Sequence, residues 1–196
     1  MKYINSIKIR LITFFYKNSF KSFGKKSYIL NPLKIDGASN ILIGDNVNIA
    51  YKCWLAALPL TDAVKPRLLI GNGTSIGNFN HIFATNEIII GNNVLTADKV
   101  YISDNLHSYE NIDIPILKQP IKQIGSVLIG DGTWIGENAC IIGAKIGENC
   151  VVGANAVVTK DIPDYCVVVG LPAVIIKRYC VQEKKWKKTD KKGNFI

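Results

Sequence analysis

The chain has 196 residues, 48% of them hydrophobic, and a formal net charge of +9. That length suits one sizeable core or one solenoid with a small appendage, and the apolar content excludes a disordered chain. The charge gathers at the two ends, so it admits an anionic membrane surface, nucleic acid, an anionic small molecule, or two solvated tails.

In chain order, the first stretch places Ile4, Ile7, Leu11, Phe14, Phe15, Phe20 and Phe23 at helical spacings, with lysines on the remaining positions. This predicts a short amphipathic helical segment over 1–27, stopped by Gly24. It suits a cap on the end of a solenoid, or peripheral contact with a membrane surface. Its apolar run is too short and too interrupted to span a bilayer, and no secretory cleavage signal follows it.

From Tyr28 a repeat begins loosely, with Ile35, Ile43 and Ile49. Cys53 to Arg67 interrupts it, with Trp54 read as a packing residue or as part of an acceptor pocket. Ile70, Ile76 and Ile82 then recur every six residues, and Ile90, Thr96 and Ile102 follow after a wider turn. The stretch VLIGDGTWIGENACIIGAKIGENCVVGANAVV, Val127 to Val158, is the clearest. Ile129, Ile135 and Ile141 are six apart, and after a contraction Ile146, Val152 and Val158 resume the step. A six-step fits neither a strand's alternation nor a helix face. It fits one short strand plus one turn, three units closing a triangular coil with the aliphatic residue inward. Gly and Asn serve the turns. Five or six stacked coils are expected over 28–170, a narrow rod that benefits from lateral burial by copies of itself.

The second interruption, DNLHSYENIDIPILKQPIKQIG, lies within 103–126. An insertion of this kind places side chains outside the stack, where function tends to reside. After Val158, Pro163 and Pro172 stop the repeat. Val167 to Val169 reads as a last strand and Val174 to Tyr179 as the start of a short helix. The lysine-rich end of the 171–196 extension reads as a solvated tail. The five cysteines, Cys53, Cys140, Cys150, Cys166 and Cys180, are odd in number and lack metal-ligand spacing. They predict reduced thiols, a cytoplasmic setting and no metal. GNGTSIG and GDGTWIG lack the lysine and the strand–helix context of nucleotide loops. No nucleic-acid reading motif is present.

The repeats, the segment YISDNLHSYE, the coil GDGTWIGENACI and the closing segment VVTKDIPDYCVVVGLPAVIIKR together resemble the hexapeptide-repeat acyltransferases, over Ile41 to Lys177. IPILKQPI leans toward the branch that O-acetylates capsule or lipopolysaccharide sugars. The resemblance implies an all-β, left-handed parallel β-helix with an inserted catalytic loop, acetyl-CoA as co-substrate, and a homotrimer with active sites between neighbouring rods. It places His107 as catalytic base with Asp104 before it. Trp134 falls near the substrate, and Gly136, Gly153, Ala154, Gly170 and Pro172 fall near the coenzyme A channel. A proline-containing turn common in the family is replaced here by the contraction after Ile141.

The chemistry agrees with that placement. Acyl transfer to a sugar hydroxyl needs a base near neutral pH, which imidazole supplies. The chain has only two histidines. His107 lies in the polar insertion. His81 precedes the inward Ile82, which puts it outward or at a corner, in an acceptor site or in a structural turn. Asp104 or Glu110 is the candidate to orient the imidazole, and a backbone N–H of a neighbouring coil to meet the oxyanion. Asn80, Asn105 and Tyr109 are candidates for sugar hydroxyls. Lys160, Lys177 and Arg178 are candidates for coenzyme A phosphates, or ordinary surface charges. The competing readings are an aminosugar N-acyltransferase, a serine O-acetyltransferase, whose large helical N-terminal domain the first 30 residues cannot supply, and a non-catalytic β-helix scaffold.

Overall fold

The computed structural model describes residues 13–196. Its body is a three-sided parallel β-helix. One face runs from Ser22–Phe23 through Ile41–Ile43, Arg67–Ile70, Glu87–Ile90 and Val127–Ile129 to Lys145–Ile146. The second begins at Tyr28–Ile29 and continues through Asn48–Ile49, Ser75–Ile76, Leu95–Thr96, Trp134–Ile135 and Val151–Val152 to Cys166–Val169. The third runs from Lys34–Asp36 through Trp54–Ala57, His81–Ala84, Tyr101–Ser103 and Cys140–Ile142 to Val157–Val158. Each coil thus contributes one strand to each face, in register with its equivalents above and below.

The inward column is the repeat's aliphatic series. Ile43, Ile70, Ile90, Ile129 and Ile146 fill one face, and Ile49, Ile76, Thr96, Ile135 and Val152 the next. Leu55, Ile82, Ile102, Ile141 and Val158 fill the third, all at most 2% exposed. Stacking is tight at the corners. A Cβ added to Gly71 would lie 2.5 Å from the backbone of Gly91 in the next coil, so a side chain has no room there. The corner between the first and second faces takes positive φ at Lys26, Asn46, Gly73, Asn93, Gly132, Asn149 and Tyr165. These are mostly residues that tolerate the left-handed region.

Three expectations need correction. The helical segment expected over 1–27 is helical only at 13–17 among the described residues, and residues 1–12 lie outside them. Ser22–Phe23 instead pairs with Leu42 and Ile43, and Phe20 is buried, 5.4 Å from the Phe23 ring. Those aromatics close the first coil, so the coil begins before residue 28. Second, Val174–Cys180 is a strand, not a helix. It has a β-branched start, Val174-Ile175-Ile176, and pairs antiparallel with Cys166–Val169, covering an edge the stack would otherwise leave open. Third, the basic end is ordered. Lys185–Lys188 adds a further antiparallel strand, and a Thr189–Phe195 bridge closes the chain's last turn. Lysines on that outermost strand are a common guard against further pairing. Among the described residues no helix is long and apolar enough to cross a membrane.

Candidate functional site

The insertion leaves the stack after Ser103, at the corner between the third and first faces. It forms a two-stranded antiparallel ribbon, Asn105–His107 against Ile121–Gln123. Its root is pinned by Asp104, which is wholly buried. The carboxylate accepts the backbone N–H groups of Thr85 (2.8 Å), Asn86 (2.8 Å) and Glu87 (2.9 Å). It also accepts the Thr85 hydroxyl (3.1 Å) and Nδ2 of Asn105 (2.9 Å). A desolvated carboxylate is tolerable when that many donors converge on it. Asn105 Nδ2 donates as well to the Phe83 carbonyl (3.1 Å), and the Ser103 hydroxyl donates to the Asn105 carbonyl (2.8 Å). From the other strand, Gln123 donates Nε2 to the Asp104 carbonyl (2.7 Å). Its Oε1 accepts the Thr61 hydroxyl (3.3 Å) and shares the single Thr85 hydroxyl proton (3.0 Å) with the Asp104 carboxylate.

His107 lies on this ribbon opposite Ile121 and is exposed. Neither carboxylate expected to orient it does so. Asp104 is consumed by the corner of the preceding coil. Glu110 pairs with Lys122 and accepts the Tyr109 N–H. The Lys122 ammonium, then the neighbouring backbone N–H groups, hold the Glu110 carboxyl down to about 2. Tyr109 is exposed nearby on the same insertion. The family resemblance places Asp104 before His107 as a candidate to orient the imidazole. Instead, the structure makes Asp104 and Asn105 the anchors of a ribbon and leaves His107 exposed at its outer surface, with no side-chain partner among the described residues. Gln123, Thr85 and Thr61 complete the anchor. No periodicity marks them, because their partners come from separate coils and loops.

The second histidine sits on the outer side of the third face. The His81 ring stacks on Trp54, with centroids 4.2 Å apart and planes 7° from parallel. Tyr101 and Phe83 approach its edges at 5.3 and 5.9 Å. Trp54 donates Nε1 to Asp36 (2.9 Å), which also binds Lys34 (3.0 Å), and the Lys34 ammonium lies over the indole. Among the described residues Nε2 of His81 is buried without a partner, and burial lowers the imidazole's proton affinity. The Asn105–Phe83 bond ties this aromatic floor to the root of the ribbon that carries His107.

The other expected residues divide among different places. Asn80 is fully buried, donating to the Ala97 carbonyl (2.9 Å) and accepting the Val100 N–H (3.1 Å). It is a rung of the stack and cannot meet a sugar. Trp134 is on the second face, between Leu95 and Val151, away from the ribbon. Gly136, Gly153 and Ala154 do stack at the corner between the second and third faces. However, a Cβ at Gly136 would strike the Ala154 nitrogen at 2.6 Å, so coil packing already explains that glycine. Gly170 is different. It has φ 97°, and a Cβ there would meet only the Pro172 carbonyl, at 3.5 Å. Its backbone, at the same corner, stands open to a ligand. Lys160 follows Val158 at the ribbon's corner. Lys177 and Arg178 lie opposite Val167 and Cys166, with Arg178 at the far end of the second face from Gly170. The basic residues therefore do not gather around the Gly170 turn.

With this geometry in hand, the relatives can be compared. Residues 126–160 match the family described as the hexapeptide repeat of succinyl-transferase. Over that stretch the chain is similar to the hexapeptide-repeat family. A relative from Escherichia coli K12, WbbJ, named as a lipopolysaccharide biosynthesis O-acetyl transferase, is 47% identical over 64 residues. That alignment covers 32% of this chain and 33% of WbbJ, so it spans about a third of the relative's length. Among solved structures, a maltose O-acetyltransferase from Clostridium difficile 630 is 29% identical, with a TM-score of 0.53 over 83% of this chain and 72% of that one. A hexapeptide-repeat acetyltransferase from Vibrio cholerae, solved with acetyl coenzyme A, shares 24% identity. Its TM-score is 0.59 over 83% of this chain and 73% of that one, and it speaks for the fold. The hexapeptide-repeat coil of this chain is accordingly the left-handed parallel β-helix.

Proposed function

We propose that this hexapeptide-repeat chain is an acetyl-CoA-dependent O-acetyltransferase. It acts on a sugar hydroxyl of a cell-surface polysaccharide, of capsule or lipopolysaccharide type, as a cytoplasmic homotrimer. The observation that carries the reading is the ribbon: an exposed imidazole, His107, on an insertion whose root is locked by a fully buried aspartate. A solvated loop histidine needs no such anchor, whereas a base that must meet a hydroxyl within hydrogen-bond reach does. The repeat match and the named activity of WbbJ over its matched third support the same class.

In this reading acetyl-CoA supplies the activated acyl carbon, and the open backbone at Gly170 is where it approaches the chain. The His107 imidazole accepts the acceptor hydroxyl's proton as its oxygen attacks, then returns that proton to the departing sulfur. Asp104, Asn105 and Gln123 hold the ribbon still. The aromatic floor of Trp54, His81 and Phe83 offers C–H surfaces of a sugar an apolar wall beside the ribbon's root. Direct transfer fits the cysteines. Cys53 and Cys150 are buried in the stack with thiols pushed up to about 11, far from what a nucleophile needs.

The test is thiol release from acetyl-CoA with a panel of nucleotide-sugar, lipid-linked and polymeric acceptors, with the product identified by mass spectrometry. Loss of the acetyl group in mild base would identify an ester. His107→Ala should lower turnover at least about a hundredfold with the fold intact. Unchanged turnover removes His107 from the role, and a base-stable amide product moves the protein to the N-acyltransferases.

A further inference from the structure

The last coil carries a second concave surface, far round the rod from the ribbon. At the corner between the first and second faces the positive-φ position is filled by Asn46, Gly73, Asn93, Gly132 and Asn149 in successive coils. In the last coil it is filled by Tyr165, with φ 60°. A bulky residue in the left-handed region is uncommon, and such outliers concentrate where a side chain has a task. The Tyr165 ring meets Tyr179 at 6.5 Å and 58°, and Tyr179 meets Trp186 at 5.6 Å and 68°. The three rings enclose a concavity of about 380 Å³ with Asn149 and Val181. It adjoins a second of about 500 Å³, edged by Asp164, Arg178 and Gln182. Trp186 is 45% exposed, and the chain leaves its ring open to solvent. Among the described residues, neither the two tyrosine hydroxyls, nor the indole N–H, nor the Arg178 guanidinium has a hydrogen-bond partner. The antiparallel strands Val174–Cys180 and Lys185–Lys188 build the surface, so it exists only because the chain's end folds back onto the stack.

We infer that this cup, formed by Tyr165, Tyr179 and Trp186 with Asp164, Arg178 and Gln182 at its edge, is a saccharide-binding site separate from the one at His107. The rings stand at steep angles to one another and leave no parallel slot for a planar base. Tilted rings with polar tips suit a pyranose, whose C–H face packs on an aromatic ring while its hydroxyls reach the edge. Asp164, which shares the hollow's lining with Arg178, argues against a phosphate: one oxygen accepts the Glu148 N–H (2.8 Å), and the carboxylate repels an anion yet can accept hydroxyls. The cup lies at the opposite end of the second face from Gly170. A sugar held here therefore occupies neither the proposed acyl-donor approach nor the ribbon, and it would be a remote unit of a polymeric acceptor. Only that last assignment rests on the proposed function. Binding itself does not.

The experiment is a calorimetric or NMR titration of the full chain with maltohexaose, chitohexaose and hexagalacturonate, and separately with adenosine 3′,5′-bisphosphate. Thiol release from acetyl-CoA with a monosaccharide acceptor is measured in parallel. At least one oligosaccharide should bind saturably. Trp186→Ala should weaken it about tenfold or more, the worth of one aromatic contact, and Gln182→Ala should weaken it with the melting temperature unchanged. Turnover of the monosaccharide should stay within about twofold in both variants. No binding by any of the three oligosaccharides, binding indifferent to both substitutions, or displacement by the bisphosphate would overturn the inference. Oligosaccharide binding without any acetyl transfer would leave it standing while removing the proposed function.

Discussion

Replacing Asp104 by Asn tests whether the aspartate anchors the ribbon or serves the histidine. The aspartate's two oxygens receive three backbone N–H groups, a hydroxyl and an amide. An asparagine keeps one accepting oxygen and turns an amide toward donors that need an acceptor. Placed to save the Thr85 contact, it leaves the N–H groups of Asn86 and Glu87 facing another donor. Each stranded donor costs about 1–2 kcal/mol, less where water can reach, so a loss of about 2–4 kcal/mol is expected. Urea unfolding measures it, with limited proteolysis within 105–123 reporting the ribbon itself. Turnover should fall because His107 is displaced, while the pH midpoint of the remaining activity stays where it was. An aspartate that polarised the imidazole would give the reverse: little loss of stability and a shifted midpoint. Stability within about 0.5 kcal/mol of the parent would refute the anchoring argument outright.

Other perturbations follow from the same contacts. Burial lowers the proton affinity of His81, so the unfolded chain binds the extra proton first. Stability should therefore be full above the ordinary histidine value of about 6.5 and decline as pH falls below it. Chemical denaturation across that range should show this component vanish in His81→Phe. The Glu110–Lys122 pair has the opposite origin, a carboxyl held down to about 2 by the ammonium. Its contribution should be present above the ordinary glutamate value of about 4.3 and be lost as pH falls toward 2. Proteolysis of the ribbon by an acid protease should rise over that window in the parent and show no such rise in Lys122→Met. Gly71→Ala puts a methyl 2.5 Å from the Gly91 backbone and should cost about 2 kcal/mol or more, read by urea unfolding.

The repeat was legible because its cause is local. Each inward aliphatic residue needs a turn beside it, and the six-step from Ile129 to Val158 reports both together. The contraction after Ile141 was legible too, and the chain absorbs it at Gly143, with φ 59°, on the way to Lys145–Ile146. What escaped was long-range. Nothing near Gln123 in sequence signals that it will meet Thr61 and Thr85 at the ribbon's root. The family resemblance sets Asp104 before His107 as a candidate to orient it, yet the corner at Thr85 to Glu87 takes the carboxylate first. At the other end, Val174 to Tyr179 was misread because helix periodicity and a short β-branched run cannot be separated without knowing that an open strand edge waits beside it.

That pattern also bears on how the chain assigns its work. A regular stack repeats the same turns and flat faces from coil to coil, so a shaped site needs departures to wall it. The described residues show such departures at distinct corners of the triangle. The ribbon with His107 leaves one corner, the open Gly170 turn occupies another, and the Tyr165 cup occupies the third. Within a single rod these places face different directions. If the donor approaches at Gly170 and the acceptor at His107, the two meet only when a second rod brings its own corner alongside, an argument for associated rods of which the proposed trimer is one form. Sedimentation should accordingly show a mass three times 21.6 kDa. Mixing inactive His107→Ala chains with chains disabled at the Gly170 turn should restore part of the turnover that neither population has alone. A monomer with full activity would mean that one rod suffices and that the donor approaches somewhere other than Gly170.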